Sequence, residues 1–194
     1  MMKKFPVLLI LILFAVAAPA QIKLNPKFGP AITGLASADD QFEFNSGWGF
    51  TAGGDVRIGD KFLFITGAYW QSHAAELIAV PVGNNPSGYS EEINYQKVHF
   101  PFLAAYQLNL VAVKMRLGLG TSYSKMTYWK ARPNAIIDKD LLDPNMMGVD
   151  ALVGVDVLFI SADLHFSYGF NSFIPEIDGS NPWWLGLNVG ITLL

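Results

Sequence analysis

The stretch VAVKMRLGLGTSY, Val111 to Tyr123, decides the fold. A strand sends successive side chains to opposite faces. Val111, Val113, Met115, Leu117, Leu119, Thr121 and Tyr123 therefore share one face, while Lys114, Arg116, Gly118, Gly120 and Ser122 share the other. One face has to meet something greasy, and the other must meet water or a polar interior.

The same period of two recurs along the chain. Segments near 28–35, 47–58, 62–71, 94–107, 111–123, 148–159, 163–173 and 183–193 alternate at least in part, which makes eight strands. Phe50, Ala52, Val56 and Ile58 oppose Thr51, Asp55 and Arg57 in the second, and Val98, Phe100, Phe102 and Tyr106 oppose Lys97 and His99 in the fourth. Later segments set Val149, Ala151, Val153 and Val155 against Asp150, Gly154 and Asp156, and Leu164, Phe166 and Tyr168 against Asp163, His165 and Ser167. In the last, Leu185, Leu187, Val189 and Ile191 oppose Gly186, Asn188 and Gly190. Pro26 and Pro30 interrupt the first segment. FLFITGAYW is apolar on both faces, so alternation leaves its orientation open.

The links add a second pattern. Short ones fall at Gly59-Asp60-Lys61, Leu108-Asn109 and around Ser161; long ones, rich in Asp, Asn, Pro, Gly and Ser, fall near 36–46, 72–93, 124–147 and 174–182. Strict alternation of short and long links puts every long one at the same end of an up-and-down sheet. That is the asymmetry of an eight-stranded antiparallel transmembrane β-barrel with short periplasmic turns and long external loops.

A soluble periplasmic carrier of an apolar ligand, built like a lipocalin, would reverse the two faces. The polar face here is unusually small, with Gly53, Gly118, Gly120, Gly154, Gly169, Gly186 and Gly190 on it. Small residues suit a crowded eight-stranded interior, whereas a water-facing surface has room for long charged chains. The apolar face is therefore assigned to lipid and the polar face to an occluded interior. Buried charges need partners, so Asp55, Arg57, Lys97, His99, Lys114, Arg116, Asp150, Asp156, Asp163 and His165 are expected to form a mixed-sign internal network. Amphipathic rings favour the membrane boundary, and Trp48, Tyr69, Trp70, Tyr95, Tyr123, Trp183 and Trp184 fall near the outer strand ends, with Tyr106 near the periplasmic end. All eight are expected at the interface.

The N-terminus, MMKKFPVLLILILFAVAAPAQ, has Lys3 and Lys4, an apolar run and Ala18-Pro19-Ala20, the form of a secretory signal cut after Ala20. Residues 1–20 are then a signal peptide and 21–194 one barrel domain bound for the outer membrane. The full chain carries a formal charge of -3 and no basic stripe, which argues against a nucleic-acid partner. With no cysteine, thiol chemistry and thiolate metal sites are excluded.

No cofactor, metal or catalytic residue is expected. His73 is placed at the start of an outer loop, and His99 and His165 as satisfied interior residues; no HExxH-like spacing joins them. A rim-active lipid-modifying enzyme would have to start from Ser72-His73 with Glu76, or from Ser122 and Ser124, and sequence order shows neither a base in reach nor an orienting acid. The loop stretches SEEINY (90–95) and DKDLLDPN (138–145) are solvated acid clusters that could share divalent cations with lipopolysaccharide. SHAAELIAVPVG (72–83) is apolar for an exposed loop and could pack over the barrel mouth, touch the outer leaflet or dock a protein partner. The remaining expected partners are outer-membrane lipid and lipopolysaccharide.

Four stretches, GWGFTAGGDVRIGDKFLFITGAYW (47–70), YQKVHFPFLAAYQL (95–108), VKMRLGLGTSYS (113–124) and DLHFSYGFNSF (163–173), together resemble the Bacteroidota-type outer-membrane β-barrel domain family, which includes PorT-like proteins. The resemblance implies signal-directed export and an eight-stranded barrel, with no catalytic motif to transfer.

Overall fold

The computed structural model describes residues 22–36, 42–79, 89–130, 142–175 and 179–193. Its regular elements are eight strands: β1 (Ile22–Leu35), β2 (Phe42–Gly59), β3 (Phe62–Ala79), β4 (Tyr89–Asn109), β5 (Val113–Lys130), β6 (Asn145–Val157), β7 (Ile160–Gly169) and β8 (Pro182–Ile191). Each pairs antiparallel with the next, and β1 returns to β8 from Lys27↔Gly190 to Leu35↔Pro182, closing the barrel. A bridge between Leu24 and Leu193 carries the seam to its end. Closure removes the free edge, which hydrocarbon does not tolerate because it offers no partner to a bare N–H or C=O.

The three tight links lie at one end. In the β2–β3 turn Gly59 has φ 121°, and a Cβ there would sit 2.1 Å from the Phe62 carbonyl oxygen, so glycine is required. Leu110 to Ala112 join β4 to β5, which places Val111 of the deciding stretch in the turn. Leu158 and Phe159 join β6 to β7, with Leu158 at φ 56°, a rare conformation for a branched side chain. The link expected around Ser161 thus falls three residues earlier, and Ser161 itself points inward and is buried.

Beyond the turns, the faces divide as a lipid-facing barrel requires. Phe28, Ile32, Phe64, Phe102, Leu117, Leu119, Val153, Leu164, Leu187 and Val189 are exposed on the outside. Lys27, Asp55, Arg57, His99, Arg116, Asp150, Asp163 and His165 are each 3 % exposed or less and lie inside. An exposed apolar exterior around a charged interior is the reverse of a soluble lipocalin-like carrier, and that alternative falls. The open orientation of the third segment is also resolved: Leu63, Ile65 and Tyr69 face in, and Phe62, Phe64 and Trp70 face out.

The strands run further than expected at the long-link end. Residues 72–79, 89–93 and 124–130, expected as loops, continue β3, β4 and β5. There the polarity of the two faces inverts. Ala75, Ile93, Tyr95, Met126 and Met146 are buried inside, while Asn94, Gln96, Lys125, Thr127 and Asn145 lie on the outside. Near the turns the barrel is apolar outside and polar inside; above Trp70 and Val98 it is built like a water-soluble barrel. A search for greasy outward faces stops at this inversion, which is why those residues read as loops. Thr127 is also an extra residue in the β4–β5 ladder, since Lys97 pairs with Met126 and Gln96 with Tyr128. Such a bulge flips the alternation and turns Trp129 inward, against the apolar cluster. No helix among the described residues is long and apolar enough to cross a membrane, which bears only on helical spans.

Candidate functional site

Among the described residues, ionisable side chains from many strands converge in the interior, which has three layers. Nearest the tight turns is a network of three cations and three carboxylates. The Arg57 guanidinium donates through Nε to Asp55 Oδ1 (3.0 Å), through Nη1 to both oxygens of Asp156 (3.2 and 3.0 Å) and through Nη2 to Ser161 Oγ (2.9 Å). Arg116 pairs with Asp156 and donates to Asp163 Oδ1 (2.7 Å) and Ser161 Oγ (3.2 Å). Lys27 bridges Asp55 and Asp163, and the Tyr69 hydroxyl donates to Asp55 Oδ2 (3.0 Å). Six of the eight strands are tied together across the bore, with positive and negative charge in equal number.

Room for the guanidinium of Arg116 comes from Gly154. A Cβ at that position would lie 2.2 Å from Asp163 Oδ1 and 2.6 Å from Arg116 Nη2. Gly154→Ala is therefore expected to destabilise the barrel by about 1–3 kcal/mol through overpacking, seen as a lower urea midpoint in detergent. Gly118→Ala, whose Cβ would come no closer than 3.2 Å to Ala105 and 3.6 Å to Leu152, serves as the milder control.

The middle layer is built on Asp150. Its Oδ2 accepts from Nε2 of His99 (2.8 Å) and from Nε2 of His165 (2.9 Å), and its Oδ1 accepts from the Ser122 hydroxyl (2.6 Å). The Ser124 hydroxyl lies 2.8 Å from His99 Nδ1. Trp184 and Tyr69 set ring edges against His165, at centroid distances of 5.2 and 6.5 Å. Lys97 is 4 % exposed on the adjoining wall and feels the Asp150 charge. Ser124, His99 and Asp150 thus form a serine–histidine–carboxylate chain, but the cavity that Ser122 and Ser124 line, with Lys97, Met146 and Gly148, has a volume of about 10 Å³. That is one water, with no room for an acyl group.

The outer layer is apolar. Leu35, Ile93, Tyr95, Met126, Leu142, Met146, Phe173 and Ile174 form one buried cluster, and Trp129 packs against it. His73 stacks on Tyr95 (4.7 Å) and Tyr95 on Phe173 (4.5 Å). Leu142, Phe173 and Ile174 come from the links, so chain outside the strands fills the mouth. The Ser180 hydroxyl pins this segment by accepting from the Ile174 N–H (3.0 Å) and donating to its carbonyl (2.9 Å). The interior is occluded as expected, with an apolar stopper above the polar layers.

Several expectations need correction. Lys114 has inward parity but sits at the turn-side rim, exposed, outside the bonded network. Tyr69, Tyr95 and Trp184 were expected at the interface and are 4 %, 3 % and 1 % exposed, pointing inward. Position along a strand does not set the side of the sheet; parity does, and Trp184 shares parity with Gly186 and Asn188, as Tyr95 does with Lys97. Trp48, Trp70, Tyr106, Tyr123 and Trp183 lie on the outside. His73 is a buried strand residue. Adjacent strand residues face opposite ways, so Ser72, which bonds the Phe50 backbone on the outside, and His73 inside cannot act as a dyad. SEEINY belongs to β4, and residues 80–83 and 138–141 of the other two loop stretches lie outside the described residues.

Lys27, Tyr69, Ser122, Ser124 and Ser161 were missed as network members. Lys27 had a signal in Lys23, Asn25 and Lys27, which alternate with Ile22, Leu24, Pro26 and Phe28. Both prolines sit on the outer face, where they leave this pattern intact. Tyr69 could have been placed by register: the tight β2–β3 turn sets Gly53 opposite Tyr69 and Arg57 opposite Ile65, and directly opposed residues share a face.

A closed antiparallel barrel, greasy outside and with paired charges inside, is the arrangement of a β-barrel that sits in a membrane. The sequence matches the outer membrane protein beta-barrel domain family over residues 17–175, and the chain belongs to that family. It is an outer-membrane β-barrel protein. No curated protein matches it in sequence. Among solved structures it is similar to Neisserial surface protein A, with a TM-score of 0.52 and 12 % identity over 90 % of this chain and 99 % of that one. It is likewise similar to the outer membrane protein OprG from Pseudomonas aeruginosa, with a TM-score of 0.57 and 10 % identity over 90 % and 96 %. At such identities the likeness is one of fold.

Proposed function

We propose that this protein is a non-enzymatic scaffold of the outer membrane that holds an extended sheet above the lipid as a docking platform. The observation that carries the reading is the inversion of polarity along β3, β4 and β5: the same strands are dressed for lipid near the tight turns and for water beyond Trp70 and Val98. The tight turns then face the periplasm and the projecting ends of β2 to β5 the outside. The first twenty residues act as a signal cut after Ala20, lipid and lipopolysaccharide contact the outer face, and a protein partner meets the projecting sheet. The glycine-containing strand–turn–strand stretches favour the Bacteroidota-type branch of the family. The enclosed middle layer, with space for one water, argues against lipid-modifying chemistry inside the barrel.

Fractionation of native cells is the test. The protein is expected in the outer-membrane fraction, with an electrophoretic mobility that shifts on boiling and a β3–β4 hairpin accessible from outside to protease, or to a biotin label on a cysteine introduced there. Recovery as a soluble periplasmic protein would end the membrane reading; a labelled hairpin with no cross-linked partner in stoichiometric yield would end the docking one.

A further inference from the structure

We propose that His99, Asp150 and His165 form a binding site for a single divalent transition-metal ion, of the zinc class, enclosed in the barrel. The two Nε2 atoms and one carboxylate oxygen come from β4, β6 and β7 and all lie within 4.8 Å of one another. The two rings approach the same atom, Asp150 Oδ2, from different walls, at 2.8 and 2.9 Å. Two imidazole nitrogens and a carboxylate oxygen around a common point are the ligand set of a borderline divalent ion, and water supplies the fourth position of a tetrahedral site.

The surroundings fit an ion better than a plain hydrogen-bond cluster requires. Metal-bound histidines and carboxylates are held by outer partners that fix ring orientation. Here Ser124 holds His99 at Nδ1 and Ser122 holds the second oxygen of Asp150. Ligation asks each neutral ring to carry its one proton on Nδ1 and free Nε2. His99 Nδ1–H then donates to Ser124 Oγ, so the contact survives with donor and acceptor exchanged. Metal–ligand bonds near 2.0–2.2 Å set neighbouring ligand atoms about 3.3 Å apart, so each ring nitrogen has to part from Asp150 Oδ2 by roughly half an ångström while the two nitrogens, which lie within 4.8 Å of each other, draw together. The 10 Å³ cavity beside the site, lined by Ser122 and Ser124 and not by the three ligands themselves, is of the size of one water. The turn-side network is already balanced, three charges against three, which leaves Asp150 as the carboxylate available to an ion. Lys97 is its competitor.

The site is closed from above by the apolar stopper, so the ion is loaded as the barrel folds. The experiment uses the full barrel in detergent by two routes: purified from outer membranes, and refolded from urea with Zn²⁺ or Co²⁺ present. Metal per chain is measured by mass spectrometry after desalting. The expected result is one ion per folded chain by the refolding route, with the intense visible bands of low-coordinate Co²⁺. Pulsed electron paramagnetic resonance of the Cu²⁺-loaded protein should show two coordinated imidazoles. His165→Gln and His99→Gln should abolish stoichiometric loading, Ser124→Ala should weaken it by roughly 10–100-fold, and His73→Gln should leave it intact. Should the histidine variants fail to fold, Asp150→Asn and the wild-type Cu²⁺ spectrum decide. Folded protein without stoichiometric metal by either route, or loading undiminished in folded His99→Gln and His165→Gln, would overturn the proposal.

Discussion

Replacing Arg57 with methionine is expected to lower the stability of the barrel by about 3–5 kcal/mol, the cost of leaving a buried charge without its partner. Arg57 contacts Asp55, Asp156 and Ser161, and its Nη2 stands 3.7 Å from Asp163. With Arg57 gone, the three carboxylates keep direct ion pairs to Lys27 and Arg116 only, with Lys23 near Asp156 as a more distant positive charge. Asp156→Asn in the same chain restores equal numbers of positive and negative groups while keeping the shape. The double variant Arg57→Met/Asp156→Asn is therefore expected to lie closer to the wild type than Arg57→Met does. Urea unfolding in detergent, followed by the loss of the heat-shifted band, supplies the four stabilities of a double-mutant cycle. Coupling well above about 1 kcal/mol fits a dry, interlocked core; additive losses below about 0.5 kcal/mol, as between exposed ion pairs, would show that water reaches these groups.

The same network shows what the sequence could and could not say. Alternation of period two marked Asp55, Arg57, Arg116, Asp156 and Asp163 as sharing the polar face, because a strand has only two faces and these residues sit opposite Val, Leu and Phe. Alternation carries no register, so nothing along the chain said that Arg57 would reach Asp156, 99 residues away. Register and shear decide that, and a charge is matched only across the bore. Lys114 illustrates the complementary limit. It has the right parity, but the ladder ends beside it, and a side chain at the rim meets solvent whichever way it points. The outer layer was least legible. Ile93, Tyr95 and Met126 reverse the inside-polar rule, since above the lipid the ordinary logic of a soluble core returns. A bulge at Thr127 then hides even the parity of Trp129. His99, Asp150 and His165 were each visible as inward residues, whereas their meeting is a product of the closed barrel alone.

Leu119→Arg tests the sign of the outer face. Leu119 is 68 % exposed and pairs with Ala104 and Ala151, midway along the greasy part of β5. In water an exposed leucine gains little by exposure, and arginine there would be neutral or would improve solubility. In a bilayer the same side chain must carry its charge to the midplane, at a cost of about 2–4 kcal/mol that falls to about 0–1 near the interfaces. Thr127→Arg lies on the outside beyond the polarity inversion and is expected to cost little. Urea titration of folding into phospholipid vesicles should therefore rank Leu119→Arg well below both Thr127→Arg and the wild type. The ranking depends on depth and not on burial, since both positions are exposed and both substitutions add the same group. Equal stabilities in vesicles would mean that the exposed apolar band does not contact lipid, and its Leu, Val and Phe would then need another covering surface.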